Sequence, residues 1–207
     1  MKIYFVRHGE TVWNTLRIFQ GSSNSPLTET GREQAKRLGE KLKDTKFTKF
    51  YSSPLGRTIE TSELIIGDRD INIEYIEEFK EISVGDMEGV PREKFEGEYP
   101  EQFYNFFHNP KEYDPTPYNG ESFIQLIERV ERGLKKIIDR HHKDDTVIVV
   151  THGMTLKGIF KVIKNISLEE LGKVEVPKNT SLSIVNYEDD NYSVEVFSDI
   201  SHLEGMN

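Results

Sequence analysis

The chain opens with a short apolar run, Ile3 to Val6, that stops abruptly at Arg7-His8-Gly9-Glu10-Thr11. A β-branched and aromatic run bounded by glycine predicts a buried strand over 2–7. Phe47 to Ser52 and Ile71 to Ile76 are further strand candidates. Val147 to Val150, inside a strand over 146–151, is apolar without a break, as a central strand covered on both faces requires. Helical spacing lies between these runs. Ala35, Leu38 and Leu42 form a stripe on a helix whose start is predicted at Thr30 and Glu33, spaced as a capping box. Pro54-Leu55 opens a second helix reaching about Ile66. Phe123, Leu126, Ile127, Val130, Leu134, Ile137 and Ile138 mark a long amphipathic helix, and another runs from behind His152-Gly153 to about Lys164. Two alternating strands, 180–187 and 192–198, flank an Asp/Asn-rich turn. Strands alternating with helices predict an α/β fold, a three-layer α/β/α sandwich with a mostly parallel central sheet.

Residues 88–120 interrupt this rhythm with eight of the 22 aromatic residues, punctuated by proline and carrying a local charge of −4. They read as a small helical cover inserted into one domain spanning 1–207, a length sufficient for one well-buried core. The formal net charge is −9, which disfavours nucleic acid and anionic membranes as partners. No apolar stretch approaches the ~20 residues of a membrane span, and the N-terminal run is too short for a secretory signal. There is no cysteine, so disulfides, thiolate metal sites and cysteine nucleophiles are excluded. A cytoplasmic location is the expectation.

An anion site in so acidic a chain has to be built locally. Two segments repeat one arrangement, strand then His-Gly, at His8-Gly9 and His152-Gly153. If their strands lie parallel and close, both imidazoles emerge at the carboxyl edge of the sheet, where ligands bind in open α/β folds. Arg57, in Ser53-Pro54-Leu55-Gly56-Arg57-Thr58, sits near the start of a helix facing the same edge. Two arginines, two histidines and a helix N-terminus form an anion site, most naturally for a phosphoryl group. One histidine can attack phosphorus as neutral imidazole while the other, protonated, neutralises an oxygen. His8, Glu10 and His152 as metal ligands are a weaker reading, because Arg7 and Arg57 would repel a dication. His141 and His142, after the long helix, are expected only to complement its dipole.

Arg7-His8-Gly9-Glu10-Thr11, Asn14, Ser53-Pro54-Leu55-x-Arg57-Thr58 and Thr151-His152-Gly153 together resemble the histidine phosphatase superfamily, the phosphoglycerate-mutase-like fold. The resemblance covers nearly the whole chain, with the motifs in the family's order. It implies that His8 is the nucleophile that becomes phosphohistidine. Arg7, Arg57 and His152 then hold the phosphoryl oxygens, and Asn14, Gln20 and Gly21 belong to the substrate-binding loop. Glu81, in Phe79-Lys80-Glu81-Ile82-x-x-Gly85-x-Met87-Glu88-Gly89, matches the proton donor, ahead of its neighbours Asp86 and Glu88. Met87 and Met154 depart from common family residues and bear on pocket shape.

The resemblance implies no cofactor and no metal. It leaves a metal-independent phosphomonoester hydrolase, a 2,3-bisphosphoglycerate-dependent phosphoglycerate mutase and a noncatalytic phosphate-binding protein to be distinguished. Resembling mutases supply an arginine pair in the middle segment, whereas residues 86–128 contain one arginine, Arg92. Gly120-Glu121-Ser122 also resembles the phosphatase branch. The expectation is therefore a phosphatase acting on a small-molecule monoester such as a sugar phosphate or α-ribazole phosphate. The aromatic cover favours an apolar, aromatic or neutral leaving group. The paired C-terminal strands close the sheet or extend it across a dimer, so a monomer or a homodimer is expected.

Overall fold

The computed structural model describes residues 1–206. In chain order the elements are β1 (Lys2–Arg7), α1 (Val12–Thr15), α2 (Glu29–Lys41), β2 (Lys49–Ser52), α3 (Gly56–Ile66), β3 (Ile73–Tyr75), α4 (Arg92–Glu98) and α5 (Pro100–His108). There follow α6 (Phe123–Ile138), β4 (Thr146–Thr151), α7 (Gly153–Lys164), α8 (Leu168–Leu171), β5 (Leu182–Glu188) and β6 (Asn191–Asp199). Among the described residues the strands form one six-stranded sheet in the order β3-β2-β4-β1-β5-β6. The first four run parallel, and β5 and β6 join antiparallel.

Alternation along the central strands divides the core. Ile3, Phe5, Val147 and Val149 are buried with the apolar stripes of α6 and α7 on one face. Val6, Phe50, Ile148 and Val150 are buried against Ala35 and Leu38 of α2 and Ile65 and Ile66 of α3 on the other. The unbroken apolar run of β4 thus reflects burial on both faces. The cover aromatics are part of the first core: Phe95, Phe106, Tyr113 and Tyr118 are buried and continuous with it.

Several boundaries differ from the sequence expectation. Helix α2 is capped by Thr28, whose hydroxyl accepts from the Gly31 amide at 2.9 Å; Thr30 lies inside the first turn. Helix α3 begins at Gly56, so Arg57 is in its first turn, its amide satisfied by Asn24 Oδ1 at 2.9 Å from another loop. His141 is not merely a dipole partner. Its buried ring bridges Tyr51 Oη (2.9 Å) and Asp145 (3.0 Å), tying β2 to the approach to β4.

Candidate active site

The parallel pairing of β1 and β4 sets Arg7 opposite Thr151, so the next residues, His8 and His152, leave the sheet side by side. Their ring centroids are 5.3 Å apart. Gly9 is required there. A Cβ on it would fall 2.5 Å from the Gly31 carbonyl oxygen, since the loop after β1 packs backbone to backbone on α2. The Gly9 amide is held by Thr61 Oγ1 of α3 at 3.0 Å.

His8 is 2 % exposed. Its Nδ1 lies 2.7 Å from the Gly9 carbonyl oxygen, which can only accept, so Nδ1 carries the proton. Burial, with the charges of Arg57 and Arg7, pushes the ring well below the usual histidine range, and it is neutral at pH 7. The lone pair is then on Nε2, which makes no hydrogen bond among the described residues. His152 differs. Its Nδ1 accepts from Arg57 Nε–H at 3.1 Å, so its Nε2–H donates to Ser53 Oγ at 2.7 Å. Burial and neighbouring charges push this ring down as well. The expected protonated imidazole is thus a neutral one with both nitrogens engaged, and it orients Arg57.

Arg57 is 1 % exposed and anchored three times, by His152, by the Ser23 carbonyl at 2.6 Å and by the Gly21 carbonyl at 2.8 Å. Two of its five N–H groups stay uncommitted. Gly21 adopts φ +49°, and a Cβ there would lie 2.3 Å from a Glu88 carboxylate oxygen. Glu88 itself accepts from the amides of Ser22 and Ser23, so it shapes the loop, while Asp86 pairs with Asn119 at the surface. Arg7 donates to the Pro177 carbonyl at 2.7 Å. Burial pulls Arg7 and Arg57 down to about 10, Glu81 opposing it, and both remain cationic at neutral pH.

Arg7, His8, Arg57 and Glu81 line one cavity of about 200 Å³ with Asn14, Gln20 and Gly21. Glu81 rests on the N-terminus of α7, where orphan amides await an acceptor. Its carboxylate takes the amides of Met154 (3.1 Å) and Thr155 (2.9 Å), and the Thr155 hydroxyl oxygen, its proton directed to the Lys80 carbonyl, lies 3.1 Å away. Asn14 Oδ1 accepts from the Thr11 amide and from Asn179 Nδ2. His8, Arg7, Arg57, Glu81, Asn14, Gln20 and Gly21 therefore converge. His152 stands behind them, and Met154 lines the cavity whereas buried Met87 does not.

Other parts of the site carry no signal in the sequence. Arg92 of α4 lines the cavity, its guanidinium 5.4 Å above the Phe19 ring and 5.6 Å above the Phe107 ring. Arg7 Nε, Gln20 Oε1 and Arg92 Nε are buried with no hydrogen-bond partner among the described residues, groups that a polar ligand would satisfy. Thr180 holds an unfavourable φ of +51° while its amide reaches the carbonyls of Arg7 and His8. No local pattern marks either residue. Among the described residues no three His, Cys, Asp or Glu side chains are grouped to hold a metal ion.

The chain matches the histidine phosphatase superfamily (branch 1) over residues 3–200. It is 36% identical over 208 residues to a metal-independent phosphoserine phosphatase of Arabidopsis thaliana, covering 99% of this chain and 84% of that protein. It is 34% identical over 214 residues to phosphoglycerate mutase-like protein 4 of the same plant, covering 98% and 87%. The solved structure of YhfR from Bacillus stearothermophilus superposes with a TM-score of 0.93 at 37% identity, covering 98% of this chain and 99% of that one.

Proposed function

The chain belongs to the histidine phosphatase superfamily, and on that premise we propose that it is a metal-independent phosphomonoester hydrolase working through a phosphohistidine. The support is above all His8, a neutral ring whose proton is fixed on Nδ1 by the Gly9 carbonyl, leaving an uncommitted Nε2 beside two guanidiniums. Nε2 forms a bond to phosphorus as the ester P–O bond breaks, and the departing oxygen takes a proton from Glu81. Glu81 then removes a proton from water as its oxygen attacks phosphorus, the N–P bond breaks, and orthophosphate leaves. Arg7 and Arg57, fixed in advance, stabilise the equatorial oxygens throughout.

Arg92 bears on the alcohol portion. A cation in the cavity with a free Nε favours an alcohol carrying an anionic group, such as a carboxylate, over the neutral group that the acidic cover implied. Phosphoserine, named for the plant relative, is an ester of that kind. A single cation in place of an arginine pair is the reason for preferring hydrolysis to mutase chemistry.

The test is Glu81→Gln. Its kcat/KM on alkyl phosphates is expected to fall about 10²-fold or more, while esters with very good leaving groups, which need no protonation, keep most of theirs. Equal losses on both would contradict the assignment.

A further inference from the structure

The segment carrying Glu81 is gripped from outside the cavity by an ion pair that the chemistry above does not use. Glu121 precedes α6, and Arg129 lies in its second turn. Arg129 Nε donates to Glu121 Oε1 at 2.5 Å, and Nη2 to Oε2 at 2.8 Å. Arg129 Nη1 also donates to the carbonyls of Glu78 and Lys80, each at 2.7 Å. Beyond Glu81, Glu121 Oε2 accepts from the Ser83 amide at 3.2 Å, and the Glu121 amide donates to the Ser83 carbonyl at 2.8 Å. The Lys80 carbonyl takes a further bond from Thr155 Oγ1 at 2.6 Å. The chain is thus held at residues 78, 80 and 83, with Glu81 suspended between the grips.

The fit of α6 against this segment is close. A Cβ on Gly133 would lie 2.8 Å from the Phe79 ring and 3.0 Å from Glu78 Cβ. The side chains of Arg129 and Glu121 are 14% and 17% exposed, so water competes little for their bonds. A planar guanidinium fork can serve a carboxylate and two carbonyls in fixed directions at once, which an ammonium cannot.

We infer that Glu121 and Arg129 are positioning residues for proton transfer, holding backbone 78–83 so that the Glu81 carboxyl meets the leaving oxygen. This rests on the reading of Glu81 as the general acid. Neither residue lines the phosphoryl cavity. Loosening the pair should therefore degrade protonation of the leaving group and spare the grip on phosphate, because proton transfer depends steeply on donor placement.

The experiment compares Arg129→Lys, Arg129→Met and Glu121→Gln with wild type and Glu81→Gln on an alkyl phosphate and on 4-nitrophenyl phosphate. Orthophosphate inhibition constants and melting temperatures are measured alongside. For the pair variants, kcat/KM should drop about tenfold or more on the alkyl ester and stay within about threefold on the nitrophenyl ester. The inhibition constant for orthophosphate should stay within about twofold of wild type. Arg129→Lys should resemble Arg129→Met, since it keeps the charge and loses the fork. If Arg129→Met does not fold, the other two variants carry the same comparison. Equal losses on both esters, weakened orthophosphate binding, or no loss on either ester would overturn the positioning role. If Glu81→Gln itself lacks the leaving-group dependence, the general-acid reading fails first. If it has the dependence and the pair variants lack it, only the inference about Glu121 and Arg129 fails.

Discussion

Two histidines that look alike in the sequence are held in different hydrogen-bonding states by their neighbours. His8 donates an Nδ1–H hydrogen bond to the Gly9 carbonyl and leaves Nε2 unpaired among the described residues, whereas His152 has Nδ1 on Arg57 and Nε2 on Ser53. The strand-His-Gly pattern carries both positions but not this asymmetry, which arises from contacts 95 and 99 residues away. Arg92 shows the same limit. It is the one arginine of residues 86–128, nothing in its local sequence marks it for the site, and only the packing of Phe19 and Phe107 beneath its guanidinium brings it to the cavity. If it receives an anionic alcohol portion, Arg92→Met should cost about 1.5–3 kcal/mol of transition-state binding, roughly 10–150-fold in kcat/KM, on phosphoserine-type esters. Uncharged alkyl phosphates should change far less. Steady-state kinetics on both esters checks this, and an equal effect on the two would remove Arg92 from leaving-group recognition.

At the level of elements, the strands and long helices were legible because their periodicity is set by burial. β1, β4, α6 and α7 fall where the apolar spacing puts them. Helix starts were less legible, because a cap is a local competition between similar residues. Thr30 and Glu33 match the capping-box spacing, yet Thr28 takes the cap because its amide and hydroxyl also bind the loop after β1, donating to the Glu10 carbonyl at 2.9 Å and the Glu10 carboxylate at 2.8 Å. Thr28→Ala should therefore lower stability by about 1 kcal/mol, and Thr30→Ala by no more than about 0.5 kcal/mol, in urea denaturation. The reverse order would restore the cap to Thr30. The cover aromatics also divide in a way composition does not show: Phe106 and Phe107 pack on the core and also line the cavity, whereas Phe95, Tyr113 and Tyr118 serve the core without lining it.

For the molecule as a whole, strand order does the decisive positioning. Placing β4 between β1 and β2 brings residues 8, 57 and 152 together at one sheet edge. A chain of net charge −9 thereby holds a compact cationic centre. Burying neutral histidines there links stability to pH. His8 and His152 are pushed well below 6.5, and burial brings His202 down to about 4. Below about pH 6.5 the unfolded chain binds protons that the folded chain does not, so these groups contribute their full stability above that pH and lose it on acidification. The melting temperature should fall between about pH 7 and pH 5, and less steeply in His8→Asn than in wild type. A slope unchanged by that substitution would contradict the assignment of His8 as a buried neutral ring. The most direct test of the mechanism is a rapid-quench single turnover with a ³²P-labelled monoester in the absence of metal. The expected result is transient, acid-labile label on His8 that passes to orthophosphate and is absent from His8→Asn. Hydrolysis without labelled enzyme, label on another residue, or return of the label to an acceptor alcohol in place of water would contradict it.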